Sequence, residues 1–214
     1  RTNAQSRVLE EAFLRAGLPY KLVGAQRFYG RREIKDVIAY LRLTHNPRDE
    51  FSLTRAINTP PRGIGNKTFV SLRTYAQKIH LTPGEVLLEI GGQGESPHLA
   101  ALPARAALTL AGFAKRLAEW HELAAEWSPL QLMDRILNDI DYQAHLDDGS
   151  EEGRDRWDNV QELRRLAAEF QGQGLVAFLE QIALVSDQDT LDAGASVPTL
   201  LTLHAAKGLE FPIV

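Results

Sequence analysis

The chain has 214 residues, is 44% hydrophobic, contains no cysteine and carries a formal net charge of −4. That length suits one large domain or two small ones, and the lack of thiols excludes disulfides and thiolate metal sites and fits a cytoplasmic setting. Charge is unevenly placed: residues 1–80 carry 15 Lys+Arg against 6 Asp+Glu, a charge of +9, and residues 81–214 carry 9 against 22, a charge of −13. Such polarity predicts one basic face for a polyanion, with chance clustering on solvated helices as the rival reading. The six His show no metal-ligand spacing, and no apolar run is long enough to cross a bilayer, so neither a metal site nor a membrane partner is expected.

In chain order, residues 3–16 read as a helix stopped by Gly17, and residues 19–23 as a short strand. Next, Ile34, Val37, Ile38 and Leu41 fall at helical spacing and predict one apolar face. Arg31, Arg32 and Lys35 crowd the start of that helix, where its dipole disfavours cations. Phosphate contact is one reading; a salt-bridge cluster with Glu33 or Asp36 is the favoured one. Residues 49–58 read as a short helix capped by Asp49 or Ser52.

The segment Asn58-Thr-Pro-Pro-Arg-Gly-Ile-Gly-Asn-Lys-Thr68 cannot be helical through its two prolines. Gly63 and Gly65 permit positive φ and close backbone approach. Asn66 is placed to cap the next helix, whose face is Phe69, Leu72, Ala76 and Ile79. Ile64 anchors the turn in the core while the glycines face outward. Free amides at a helix start, flanked by Arg62 and Lys67 with the Thr68 hydroxyl nearby, make an anion site of the helix-hairpin-helix kind, which grips duplex backbone without reading bases. An ordinary tight turn is the bland alternative.

Thr82-Pro-Gly-Glu85 is a capping box and starts a helix to about Ile90. Residues 91–97 form a glycine-rich loop without GK[ST], hence no phosphate-binding P-loop. A long helix over 103–127 turns Leu110, Phe113, Leu117, Trp120 and Ala124 to one side. Ser128-Pro-Leu-Gln131 caps another, with Leu132, Met133, Ile136 and Leu137 inward. Residues 142–149 read as a polar loop. Residues 151–170 form a charged helix whose buried stripe is Trp157, Val160, Leu163, Ala167 and Phe170, with arginines at ion-pairing spacing. An apolar helix follows over 175–185, then an acidic loop over 187–195. Residues 199–203 read as a buried strand.

Several of these words match a known pattern. TLHAAKGLEF, residues 202–211, resembles motif V of the superfamily 1 DNA helicases of UvrD/PcrA/Rep type. The opening RTNAQSR resembles the second half of motif IV, and RREIKD, AYLR and RGIG are similar to the words that lead into and through the 2B subdomain. Residues 85–195 match only in helical character.

The resemblance implies a mainly α fold: a helical 2B-type insertion over 27–195, with a small α/β remnant of two or three strands. That remnant comes from two pieces of motor domain 2A, residues 1–26 and 196–214, which are expected to pair. It implies a fragment of an ATP-dependent 3′–5′ DNA helicase acting in repair or replication, with ATP and Mg²⁺ used by the intact enzyme. Arg1 would meet the γ-phosphate and Glu210 the ribose of ATP. Thr202 and His204 would lie on the single-stranded track. Gly63, Ile64, Gly65 and Thr68, with Arg62 and Lys67, would contact duplex DNA. Expected partners are duplex and single-stranded DNA, the remainder of the motor, and repair proteins. Without GxxxxGK[ST] the polypeptide by itself is expected to show no ATPase activity. Alternatives are a regulatory or protein-docking module and part of a helicase–nuclease subunit.

Overall fold

A computed structural model describes residues 20–23, 28–92, 96–188 and 198–201, with residues 9, 12, 13 and 16–18 near the start. Most of the helix expected over 3–16, most of the acidic loop and all of the motif V word lie outside the described residues. Within them the protein is mainly helical. Strand β1 (Lys21–Val23) is followed by a 3₁₀ turn (Phe28–Gly30) and then α1 (Arg32–His45), α2 (Glu50–Ala56), α3 (Asn66–Lys78) and α4 (Pro83–Gly91). There follow α5 (Pro97–Ala101), α6 (Ala104–Leu123), α7 (Pro129–Asp139), α8 (Tyr142–Leu146), α9 (Glu151–Ala168), α10 (Gly174–Gln188) and strand β2 (Thr199–Leu201).

The chain ends meet as expected. β1 and β2 pair in parallel, Lys21 opposite Thr199, Leu22 opposite Leu200 and Val23 opposite Leu201. Parallel neighbours need a crossover connection; here the helical body is that crossover.

Local chemistry sets the helix starts. Asp49 caps α2 by accepting from the Ser52 amide at 3.0 Å. Thr82 and Glu85 form a complete capping box on α4, and Ser128 and Gln131 another on α7, each with Pro at the first helical position. The middle of the chain holds two elements that the sequence did not announce. Ser96 caps the short α5, and residues 142–146 are helical rather than loop. Tyr142 decides the second case: it is fully buried, and its hydroxyl donates to Asp36 Oδ2 at 3.0 Å. The acidic loop also begins later than read, because α10 runs on to Gln188.

Helix α1 lies in the middle of the body, packed by α2, α6, α7, α9 and α10. Its Ile34, Val37, Ile38 and Leu41 are all buried, as the periodicity requires. Around it sit the fully buried Trp120, Tyr40, Tyr142, Phe28, Phe113 and Phe178. Each large apolar side chain contributes about 1.5–3 kcal/mol on leaving water. Helices α4 and α6 pack closely at Gly91, where a Cβ would stand 2.1 Å from the Ala114 carbonyl oxygen.

Candidate nucleic-acid interface

The turn between α2 and α3 presents backbone on a short stretch of sequence. Asn58 Oδ1 accepts from the Arg62 amide at 2.8 Å and closes the turn's first half. Gly63 has φ +73°, a conformation that glycine takes without a Cβ clash. Ile64 is 3% exposed and belongs to the main core. On either side of it Gly63 and Gly65 are exposed, and a Cβ on either would meet nothing within 4 Å. The division predicted from sequence, an inward Ile between outward glycines, is present.

The helix start differs from the reading. Gly65, not Asn66, is the N-cap of α3, with φ −75° and ψ 172°, and no side chain caps it. Asn66 is already the first helical residue, so its side chain is past the position from which it could bond the N2 or N3 amide. The first-turn amides of Asn66, Lys67 and Thr68 therefore have no acceptor among the described residues, beside open space at Gly65. Lys67 is exposed and forms no ion pair among the described residues; Thr68 is half-buried.

Arg62 behaves differently from Lys67. Its guanidinium turns into the body: Nη1 donates to the Ala56 and Ile57 carbonyls at 2.9 and 3.3 Å, and Nη2 donates to the Tyr40 hydroxyl at 2.5 Å. The group also lies 5.6 Å from the Tyr40 ring centroid and 5.3 Å from that of Phe113. Trp120 stands edge-on to both rings, at 5.7 and 6.4 Å. Burial pushes the Tyr40 hydroxyl up to about 12, against the pull of Arg62, so it remains a neutral donor. Its single proton is shared between the Ala56 and Thr59 carbonyls, at 2.8 and 2.5 Å.

The basic residues at the start of α1 sort into two groups. Arg31 is 6% exposed and donates to Asn159 Oδ1 at 2.5 Å, while Asn159 donates to Glu33 at 2.6 Å. Asp36 lies 2.6 Å from Arg55 Nε and accepts from Tyr142. Arg31 is thus joined to Glu33 through Asn159 in a buried polar network, while Asp36 pairs with Arg55 and not with a neighbour on α1. Arg32, Lys35 and Arg42 stay exposed with no ion pair among the described residues. Lys35 and Arg42 line a cleft of about 730 Å³ beside Phe51, which is 93% exposed.

Arg1, Thr202, His204 and Glu210 lie outside the described residues. No group of three His, Cys, Asp or Glu among the described residues is placed to hold a metal ion, and no described helix is long and apolar enough to cross a membrane.

The chain resembles known proteins along its whole length. The profile of the UvrD-like helicase C-terminal domain matches residues 1–90 and 104–214. The chain is 39% identical over 225 residues to the ATP-dependent DNA helicase PcrA of Bacillus subtilis, which it covers to 30%. It is 39% identical over 234 residues to the ATP-dependent DNA helicase UvrD1 of Mycobacterium tuberculosis, again covering 30%, and 36% identical over 217 residues to a probable DNA helicase II homolog of Rickettsia felis, covering 32%. In each case the whole of this chain is aligned, so it spans about a third of the length of these curated relatives.

Proposed function

Because the chain belongs to the UvrD-like helicase C-terminal domain family, we propose that it supplies the duplex-DNA contact of an ATP-dependent 3′–5′ DNA helicase. In this reading residues 27–195 are the 2B-type insertion, and residues 1–26 and 196–214 belong to motor domain 2A. The observation that carries it is the uncapped start of α3: three amide donors behind exposed Gly65, with Lys67 beside them and Ile64 fixing the turn from below. Backbone amides and one cation suit a phosphate and carry no base preference. Gly63 and Gly65 allow the phosphate to come close, and Thr68 adds a hydroxyl. Exposed Arg32, Lys35, Arg42 and Lys78 form no ion pair among the described residues, which supports attraction to a polyanion.

Thr202 and His204 would serve the single-stranded track, and Arg1 and Glu210 the ATP site, in the intact protein. ATP with Mg²⁺ would supply the energy of translocation there. No step through it is assigned to the described residues, which offer no metal site. The chain alone is expected to leave ATP intact in the presence of DNA.

The test is hairpin DNA binding by this chain across a salt series. Affinity is expected to fall steeply with salt, and Lys67→Ala to lower the log–log slope by about 0.9. Binding that ignores salt would sink the reading and leave the protein-docking alternative in its place.

A further inference from the structure

The turn's orientation has to come from somewhere. Gly63 and Gly65 have no side chains, Lys67 is exposed, and Ile64 is a single apolar anchor. One group ties the turn to distant parts of the fold. The Arg62 guanidinium meets the end of α2 through the Ala56 and Ile57 carbonyls, α1 through the Tyr40 hydroxyl and ring, and α6 through Phe113. A planar fork between two ring faces has one orientation in which both its hydrogen bonds and its stacking are satisfied. Lysine has the charge but not the plane.

We propose that Arg62 is a positioning residue for the duplex contact: locked in the Tyr40–Phe113 box, it aims the turn over residues 63–65 and makes no phosphate contact of its own. This rests on the duplex-contact reading above. It assigns opposite roles to two cations five residues apart. Lys67 is the one that meets the phosphate, and Arg62 is the one that holds the frame. The shared Tyr40 proton belongs to the same frame, since it bonds the Ala56 and Thr59 carbonyls on either side of the turn's entry.

The experiment uses a blunt DNA hairpin as probe, binding followed by fluorescence anisotropy over a salt series. All measurements are made at a temperature where circular dichroism finds every variant folded. Arg62→Lys, Arg62→Met and Tyr40→Phe are each expected to weaken binding about tenfold, the factor that follows from losing one charge-assisted hydrogen bond. Their log–log salt slopes are expected to match the parent's. Lys67→Ala, by contrast, lowers the slope by about 0.9. Hydrogen exchange at the Arg62 and Phe69 amides, which bond Asn58 Oδ1 and the Gly65 carbonyl across the turn, is expected to quicken in all three clamp variants more than at amides elsewhere in the fold, a local effect that general destabilisation would not produce. A slope reduced by about one unit in Arg62→Met would make Arg62 a phosphate contact and overturn the proposal. Unchanged affinity and unchanged local exchange in all three variants would overturn it as well. Should the parent bind no duplex at all, the proposed function fails separately, and amide exchange alone then judges the clamp. Tyr40→Phe removes only a hydroxyl and keeps the test open if the Arg62 variants unfold.

Discussion

Two centres in this protein pair an arginine with a buried tyrosine, and they are built to opposite ends. At Tyr142, the hydroxyl, Asp36, Arg55, Glu33, Asn159 and Arg31 close upon one another, joining α1, α8 and α9 through buried groups and α2 through the half-buried Arg55. At Tyr40, the arginine is likewise satisfied from within, yet the backbone directly after it is open: Gly63 and Gly65 are exposed and the start of α3 is uncapped. The first centre spends its charges on the fold. The second engages one charge beside a strip of polar backbone that stays in the solvent. A cation inside a recognisable motif is therefore not evidence of ligand contact until its side chain is seen to be unengaged.

The comparison can be broken first at the closed centre. Asp36→Ala takes the carboxylate from beside Arg55 Nε and the Tyr142 hydroxyl, leaving them the Arg32 carbonyl at 3.0 Å and the Glu33 carbonyl at 3.3 Å, and is expected to destabilise the chain by about 3 kcal/mol. Urea denaturation measures it, and the salt slope of duplex binding by the folded variant should not move. Next comes Gly63→Val. A β-branched residue at φ +73° is expected to cost about 2 kcal/mol and to weaken hairpin binding together with stability. A variant with parental stability would show that the turn readily relaxes.

Gly65→Asp separates the two quantities. With φ −75° and open space around it, the position accepts any side chain, and Asp is a better N-cap than Gly by a few tenths of a kcal/mol. Stability should rise slightly while hairpin affinity falls more than tenfold, because the new carboxylate takes up the amides and repels phosphate. Equal binding by this variant would remove the α3 start from the interface.

The smallest effect is a pH dependence at the closed centre. His145, largely exposed, lies with its ring 5.7 Å from that of Tyr142 and tilted by 38°, and the partial desolvation there holds its imidazole below the usual range. Asp36 opposes that shift, while Arg32, Arg156 and Arg62 add to it. The unfolded chain then binds the proton more readily, so this contribution is intact above about pH 6.5 and is lost as pH falls through the lower folded value. Thermal melts from about pH 7 down to pH 5.5 should show a modest decline that His145→Gln flattens. A decline unchanged by that substitution would assign it to other groups.

Much of the fold was legible because its signals are local. Two capping boxes, the Asp49 cap and the apolar stripes of α1, α6, α7 and α9 need only neighbours within a turn or two. The inward Ile64 between outward glycines was legible for the same reason. What escaped depends on partners far along the chain. Arg62 finds Tyr40 and Phe113 on helices that sequence order does not bring near, so its charge was legible while its partners were not. Tyr142 looked like part of a polar loop because Asp36, its acceptor, lies on α1. The misplaced cap is a one-residue matter: Asn66 and Gly65 are both acceptable N-caps by type, and the backbone chose the glycine.

The parallel ladder at the chain ends carries a geometric corollary. Adjacent strands run about 4.8 Å apart, and the polypeptide leaves after Val23 and returns at Thr199, opposite Lys21, beside the strand it left but at its other end. Any replacement for residues 24–198 must therefore run back along the strand as well as across to its neighbour, in a right-handed crossover of about a dozen residues or more. Above that minimum the sheet is indifferent to how large its cargo is, and a graft of a different helical body would leave the register Lys21–Thr199, Leu22–Leu200 and Val23–Leu201 geometrically permissible.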